Sequence, residues 1–269
     1  MPGPDPLLLQ MLQARIDAAL TAHGQGLLVV GLCGAQGSGK STLAAALVAA
    51  FGANGVAAAA LSLDDLYLTQ VERRALAHQV HPLLATRGVP GTHDIALGLQ
   101  TLVALDAGAS VLLPRFDKGS DNPAAQADWP LAPPHCQVLL LEGWCVGATA
   151  QPTSALADPV NALEQLEDPE AIWRTFANAA LDGAYQTLFA RIDLLVLLAA
   201  PRWDIVAQWR EEQEAALRRS GAPQAMSPAQ ITRFIQHYER LSRWILLEMP
   251  ARADLAIPLD PQRRPVSPG

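Results

Sequence analysis

One stretch near the amino terminus, from Gly31 to Leu47, constrains the fold more than any other part of the chain. It reads GLCGAQGSGKSTLAAAL, with apolar residues before the glycines and an alanine-rich run after them. Leu27–Cys33 has the composition of a buried strand, and Ser41–Gly52 has that of a helix that we expect to end at Gly52. The stretch therefore predicts a strand, a glycine-rich loop and a helix in direct succession.

The glycines of this stretch follow the spacing G-x-x-x-x-G-K-[ST], which is typical of loops that bind nucleotide phosphates. In such a loop, backbone N–H groups at the start of a helix cradle the phosphates. Lys40 would reach the terminal phosphates as a catalytic residue, and the Ser41 hydroxyl would bind Mg²⁺. The predicted nucleotide-binding residues are Gly34, Gly37, Ser38, Gly39, Lys40, Ser41 and Thr42.

Loops of this type serve motors, switches and kinases, so other residues must decide the chemistry. The guanine-reading string N-K-x-D and the ABC ATPase signature L-S-G-G-Q do not occur in the chain. The next apolar run, at 55–63, predicts a strand that ends just before Asp64 and Asp65. Ligands bind at the carboxyl edge of a parallel sheet, where a carboxylate can take the proton of an attacking hydroxyl. We expect Asp64 to be that catalytic base, although either aspartate could instead cap the following helix.

A third apolar run, at 136–143, predicts a strand that carries Glu142 near its end. A lone glutamate at this place can orient a Mg²⁺-bound water or an acceptor hydroxyl. It could also be an ordinary acidic residue at a strand end. We predict that Glu142 joins Ser41 as a metal-binding residue.

Lysine is rare in the chain, which contains 17 arginines but only two lysines, Lys40 and Lys118. A compact ammonium group fits a tight phosphate pocket better than a broad guanidinium does. Lys118 is therefore predicted to contact an anionic substrate or the transferred phosphate, with an ordinary surface position as the alternative.

Three features in this order, the loop, D-D-L-Y at 64–67 and E-G at 142–143, resemble the phosphoribulokinase/uridine kinase group of P-loop kinases. Within that group, further strings resemble the plant-type D-glycerate 3-kinase family. These strings are His81–Asp94, Pro114–Gly119, Glu142–Gly147, Trp209–Glu214 and Met226–Tyr238. R-G-x-P-G-T-H-D at 87–94 is the most specific of them. The resemblance implies an α/β fold of the P-loop NTPase type, with a mostly parallel central sheet flanked by helices and with a helical lid.

The resemblance also implies a pocket for glycerate, which carries a carboxylate and two hydroxyls. Arg87 can bind the carboxylate through two hydrogen bonds, and His93 with Asp94 can read the hydroxyls. The other predicted substrate residues are Asp65, Tyr67 and Lys118. Two features depart from the family pattern: Leu66 stands where the family has phenylalanine, and 119–130 lacks the glycine- and arginine-bearing stretch that follows F-D-K.

The predicted lid is an amphipathic helix from Trp203 to Gly221. On closure, Arg210 would move over the phosphates and supply charge to the transition state as a catalytic residue. The equal alternative is a simple ion pair between Arg210 and Glu214, four residues further along the helix. A second helix is predicted at 228–248 and a last strand at 254–259.

Composition limits the organisation and the partners of the chain. With 269 residues, half of them hydrophobic, we expect one domain over 1–260, a surface excursion at about 148–170 and a flexible tail at 261–269. A net charge of −7 argues against non-specific nucleic-acid binding. No apolar run approaches the roughly 18 residues that a membrane helix needs. Three cysteines without metal-ligand spacing fit a reducing cytoplasm.

We therefore predict a kinase that uses MgATP to phosphorylate a hydroxyl of a small anionic acceptor, with D-glycerate as the acceptor and 3-phosphoglycerate as the product. One alternative is a kinase for another small hydroxyl compound, such as a pentose phosphate, pantothenate or a nucleoside. Another is a regulatory or assembly protein that binds ATP without an acceptor. The polar string at 87–94 favours a kinase, because a regulator needs no acceptor pocket. The oligomeric state stays open.

Overall fold

The computed structural model describes residues 3–219 and 226–266. Its central sheet is built from β1 (Leu28–Gly34), β2 (Ala58–Ser62), β5 (Val138–Gly143), β6 (Leu194–Ala199) and β7 (Leu255–Pro258). All pairs in this sheet are parallel, and the strand order is β2-β5-β1-β6-β7. Two short antiparallel strands, β3 (Phe116–Asp117) and β4 (Asn122–Pro123), form a separate pair. The prediction of a mostly parallel sheet is confirmed.

Helices cover both faces of the sheet. They are α1 (Pro6–His23), α2 (Lys40–Ala53), α3 (Gln70–Gln79), α4 (Ile95–Asp106), α5 (Ala162–Glu167), α6 (Ile172–Ala180), α7 (Gln186–Phe189), α8 (Trp203–Arg219) and α9 (Pro228–Glu248). On one face, α1, α2 and α8 bury Leu12, Leu47 and Trp209 against the strands. On the other face, α4 and α9 bury Leu102 and Ile245. Because both faces are covered, the central strands read as continuous apolar runs.

Helix α2 continues one residue beyond its predicted end. Gly52 lies inside the helix, which ends at Ala53, and the chain turns at Gly55 with φ +77°. Glycine adopts that backbone conformation without a steric cost, so the reversal occurs there and not at Gly52. Helix α9 has the predicted bounds, and β7 lies inside the predicted last strand. The predicted end of the lid helix at Gly221 lies outside the described residues.

The predicted surface excursion at 148–170 is packed into the domain. Glu164 of α5 pairs with Arg240 of α9 at 2.7 Å, and Asp168 pairs with Arg174 of α6 at 3.1 Å. All four side chains are at least nine-tenths buried. Buried charges persist when they are paired in this way. Two acidic residues of this segment, Glu164 and Asp168, thus anchor it to α9 and α6.

Residues 261–266, the described part of the predicted flexible tail, contact the preceding strand, and their flexibility stays a prediction. The Val266 N–H donates to the Pro258 carbonyl at 2.8 Å, and Leu259 forms a bridge with Pro265. Residues 267–269 lie outside the described part. Within the described residues, the longest apolar helices fall short of what a bilayer crossing requires.

Candidate active site

The phosphate-binding loop joins β1 to α2. Gly37 and Gly39 have φ of +80° and +88°, in the left-handed region that glycine favours. A Cβ at Gly37 would come within 2.6 Å of the Trp209 Cβ, so α8 packs directly on the loop. Gly39 is the N-cap of α2, and Lys40 is its first residue. The loop thus leads its backbone N–H groups into a helix N-terminus, as an anion site requires.

Ser41 and Glu142, the two predicted metal-binding residues, lie together in the structure. The Ser41 hydroxyl donates a hydrogen bond of 2.7 Å to Oε1 of Glu142. Glu142 is only 4% exposed, and its Oε2 has no hydrogen-bond partner among the described residues. Leaving a buried carboxylate oxygen without a partner is costly. A hydroxyl beside a carboxylate is a donor set that suits Mg²⁺, so these residues fit the ion.

Asp64 lies at the carboxyl edge of the sheet, in a short turn just after β2. Its carboxylate accepts hydrogen bonds of 2.8 Å from the Tyr67 hydroxyl and from Nζ of Lys118. Burial alone would raise the pKa of Asp64. The charges of Lys118 and Lys40 and the two hydrogen bonds outweigh burial and hold that pKa well below its usual range. Asp64 is therefore ionised at neutral pH.

Helix caps near this turn come from other residues than the two aspartates. Ser62 caps the turn and Thr69 caps α3, so the capping alternative for Asp64 and Asp65 does not hold. Asp65 accepts from the Phe116 N–H at 3.0 Å and from Arg115 at 3.1 Å. Both oxygens of Asp65 thus hold β3 beside the site, and a direct contact of Asp65 with substrate stays a prediction.

Residues 66–68 and 92–94 pair through their backbones and bring two predicted substrate segments together. The Leu68 N–H donates to the Thr92 carbonyl at 3.0 Å, and the Asp94 N–H donates to the Leu66 carbonyl at 2.6 Å. The Tyr67 ring stacks on the His93 ring with centroids 4.4 Å apart. Both predicted residues thus adjoin Asp64.

His93 is a buried, neutral imidazole. Burial lowers its pKa to about 3, with Asp64 opposing and Arg73 reinforcing the shift. The Tyr185 hydroxyl accepts from the Gly91 N–H and lies 2.5 Å from Nδ1 of His93. The other ring nitrogen, Nε2, has no hydrogen-bond partner among the described residues. Nε2 is therefore the ring nitrogen left for a ligand.

Asp94 has a structural role at the start of α4. Its Oδ1 accepts from the Leu97 N–H at 2.9 Å and caps the helix. An aspartate directly before an apolar helix is a capping signal. A contact of Asp94 with substrate hydroxyls stays a prediction.

A cluster of two arginines and one aspartate surrounds the ring of Phe116. Asp121 forms ion pairs with Arg87 and with Arg73, the latter at 2.6 Å. The two guanidinium groups lie 5.5 Å and 5.8 Å from the Phe116 ring centroid. Arg73 is completely buried, and its Nε and Nη1 have no partner among the described residues. The sequence analysis identified Arg87 but missed Arg73 and Asp121, since no motif marks either residue.

Arg210 forms the ion pair with Glu214 that was the alternative to a catalytic role. Its guanidinium also lies 5.2 Å from the ring of Phe234 in α9. Its catalytic role and the closing of α8 as a lid stay predictions.

Lys40 and Lys118 occupy different surroundings. Lys118 is ion-paired with Asp64, and its side chain is 60% exposed. Lys40 has no hydrogen bond or ion pair to the protein within the described ranges, although its charge acts on Asp64. A phosphate group could therefore bind the Lys40 ammonium without breaking an existing contact.

No protein family model matches the chain. The chain is 33% identical over 220 residues to the uncharacterized kinase mug58 of Schizosaccharomyces pombe, and the match covers 78% of each protein. It is 32% identical over 259 residues to the chloroplastic D-glycerate 3-kinase of Arabidopsis thaliana, covering 89% of this chain and 54% of that protein. The chain thus spans about half the length of the plant protein.

The solved structures include D-glycerate 3-kinase from Cryptococcus neoformans var. grubii, which matches with a TM-score of 0.81 at 24% identity. That match covers 98% of this chain and 99% of the other, and it shows the fold. The sequence relatives, at 33% and 32% identity, identify the family. Together with the loop, Asp64 and Glu142 at one sheet edge, they show that the chain belongs to the family of P-loop kinases that includes S. pombe mug58 and plant D-glycerate 3-kinase.

Proposed function

We propose that the chain transfers the terminal phosphoryl group of ATP to a hydroxyl of D-glycerate and releases ADP and 3-phosphoglycerate. The observation that carries the proposal is the position of Asp64. Its carboxylate lies within the electrostatic reach of Lys40 and is joined through Tyr67 to the R-G-x-P-G-T-H-D segment. A base between a phosphate site and an acceptor pocket is the arrangement that a kinase needs. The name of the plant relative supports glycerate as the acceptor.

The nucleotide would bind at the loop between β1 and α2. Backbone N–H groups at 37–40 orient the phosphates, and Lys40 neutralises charge on the terminal phosphates. Mg²⁺ would be held by Ser41 and Glu142, and when bound it would neutralise phosphate oxygens. Glu142 is buried beside Ser41, so the two side chains already lie together and could bind the ion without a movement of the backbone.

The acceptor carboxylate fits the arginine cluster. Arg73 and Arg87 carry two positive charges, and Asp121 neutralises one of them. The remaining positive charge matches one carboxylate, which can accept charge-assisted hydrogen bonds from guanidinium donors. Nε2 of His93, which has no partner among the described residues, can form a hydrogen bond with an acceptor hydroxyl. These groups would orient glycerate with a hydroxyl near Asp64.

The transfer step forms a bond between the acceptor oxygen and phosphorus and breaks the bond between phosphorus and the bridging oxygen of ADP. The hydroxyl proton passes to Asp64. An aspartate with a low pKa is a weak base, but little proton transfer is required early in a loose transition state. The exposed Lys118 side chain can move from Asp64 to the transferred group, which frees the carboxylate to accept the proton.

A coupled ADP-release screen tests the proposal with D-glycerate, pantothenate, uridine and ribulose 5-phosphate as acceptors. We expect turnover with D-glycerate, and the position of the new phosphate is then read by NMR of the product. Lys40→Ala is the matched inactive control, with turnover lower by several orders of magnitude and with an unchanged fold. Turnover with another compound and not with D-glycerate would make that compound the acceptor. ATP binding without turnover on any acceptor would support the regulatory alternative.

A further inference from the structure

The carboxyl-terminal segment returns to the phosphate-binding loop and contacts it through Arg263. Nε of Arg263 donates a hydrogen bond of 2.6 Å to the Gly37 carbonyl. Nη2 of the same side chain pairs with Glu212 of α8 at 2.7 Å. The guanidinium also lies 5.2 Å from the Trp209 ring, within the range of a cation–π contact. One side chain therefore connects the loop with the helix that packs on it.

Arg263 is held in place from two sides. Its φ of +66° is uncommon for a residue other than glycine, and a tight turn at Asp260 imposes it. The Asp260 carboxylate accepts from the backbone N–H groups of Gln262 and Arg264 at 2.8 Å and 2.9 Å. From the other side, Nε1 of Trp209 donates to the Pro261 carbonyl at 2.7 Å. The side chain is thus directed at the loop by a preorganised turn.

The contact matters because of the part of the loop that it engages. Phosphates are bound by backbone N–H groups, so the Gly37 carbonyl is not needed for phosphate contact. Gly37 has φ +80° and no side chain, and the peptide between Gly37 and Ser38 is held at its N–H, which donates to the Ala35 carbonyl at 3.1 Å. The charged Arg263 donor holds the carbonyl of the same peptide from the opposite side, so the two hydrogen bonds together restrict its rotation.

We propose that Arg263 is a positioning residue of the phosphate-binding loop, which it holds in its nucleotide-binding conformation and ties to α8. The inference rests on the proposed nucleotide binding at this loop and does not depend on the identity of the acceptor. Its effect should appear in ATP affinity. The Michaelis constant of the acceptor should not change, since Arg263 contacts the loop on the side of α8.

The experiment compares the wild-type chain with Arg263→Ala, Arg263→Lys and the neighbouring Arg264→Ala. Arg264 is the matched charge control because its side chain pairs with Asp260 and is 65% exposed. The measurements are the dissociation constant of the Mg²⁺ complex of a non-hydrolysable ATP analogue by calorimetry, both KM values and the melting temperature. Melting temperature shows whether each variant is folded.

For Arg263→Ala we expect the dissociation constant and the KM for ATP to rise about 10-fold, the effect of one charged hydrogen bond. Arg263→Lys keeps the charge and can replace one of the two hydrogen-bonded contacts, so its rise should be about 3-fold. Arg264→Ala should stay within about 2-fold, because it removes the same charge without the loop contact.

An unchanged ATP affinity in folded Arg263→Ala overturns the role of Arg263. An equal rise in Arg264→Ala also overturns it, since bulk charge would then explain the effect. A lower melting temperature with normal ATP constants indicates a purely structural residue and contradicts the proposal as well. If the wild-type chain itself binds no nucleotide, the proposed function fails first, so the two failures are distinguishable.

Discussion

Replacing Asp64 by asparagine separates catalysis from folding at the centre of the site. The asparagine oxygen can still accept the hydrogen bond of the Tyr67 hydroxyl. Its amide nitrogen would face the Lys118 ammonium, donor against donor, so that contact is lost. The substitution thus removes the negative charge and the proton acceptor while it keeps the shape of the side chain.

The structural cost of this change is small. The Asp64–Lys118 pair is partly exposed, with side chains 30% and 60% accessible, and such pairs contribute about 0–1 kcal/mol to stability. A loss of that size lowers the melting temperature of a large domain by about 2–4 °C. Loss of a general base instead lowers the transfer rate by about 10²–10⁴-fold, which corresponds to about 3–5 kcal/mol in the barrier.

The assay is single-turnover product formation at saturating ATP and acceptor, with nucleotide affinity and melting temperature measured on the same preparation. We expect normal nucleotide affinity, a nearly normal melting temperature and a transfer rate lower by at least about 10²-fold. Transfer within a few-fold of the wild-type rate would refute the reasoning. Glu142 would then be the next candidate base, or transfer would depend on positioning and charge alone.

Three further predictions concern the surroundings of Asp64 and the loop. Lys118→Met removes a charge that lowers the Asp64 pKa, so that pKa rises; because the ionised carboxylate is the active form, the acidic limb of the kcat/KM profile should move to higher pH. Arg87→Lys replaces a planar fork by a point charge, and steady-state kinetics should show a higher KM for the acceptor with the KM for ATP little changed. Gly37→Ala places a Cβ 2.6 Å from the Trp209 Cβ at a positive φ, so calorimetry should show nucleotide affinity lower by at least about 10-fold.

Local sequence determined the elements that carry the nucleotide site. The glycine spacing needs a positive φ at particular positions, and the apolar runs beside it have the length and composition of a buried strand and a helix. Asp64 and Glu142 could be assigned to one sheet edge because parallel strands bring their carboxyl ends together. These inferences need only neighbours in sequence and one rule of sheet topology.

The cluster of Arg73, Arg87 and Asp121 could not be deduced in this way. Asp121 lies 34 residues from Arg87 and 48 from Arg73, and the three charges meet only because the turn between β3 and β4 folds beside α3 and the start of the 87–94 segment. Likewise, an aspartate such as Asp94 has the same local pattern whether it caps a helix or binds a ligand. The free energy that selects one use comes from the tertiary surroundings, which a local pattern does not contain.

The carboxyl-terminal residues show most clearly that a local sequence pattern does not predict long-range contacts. Proline, arginine and serine at 261–269 are typical of a loose tail, and that composition does not predict the contacts that 261–266 make in the structure. Arg263 meets Gly37 across 226 positions of sequence. Sequence alone predicted where a phosphate-binding loop forms and that it binds a nucleotide. Only the folded chain decided which distant side chain holds it, because such a contact depends on where the last strand ends in space and on how α8 packs beside it.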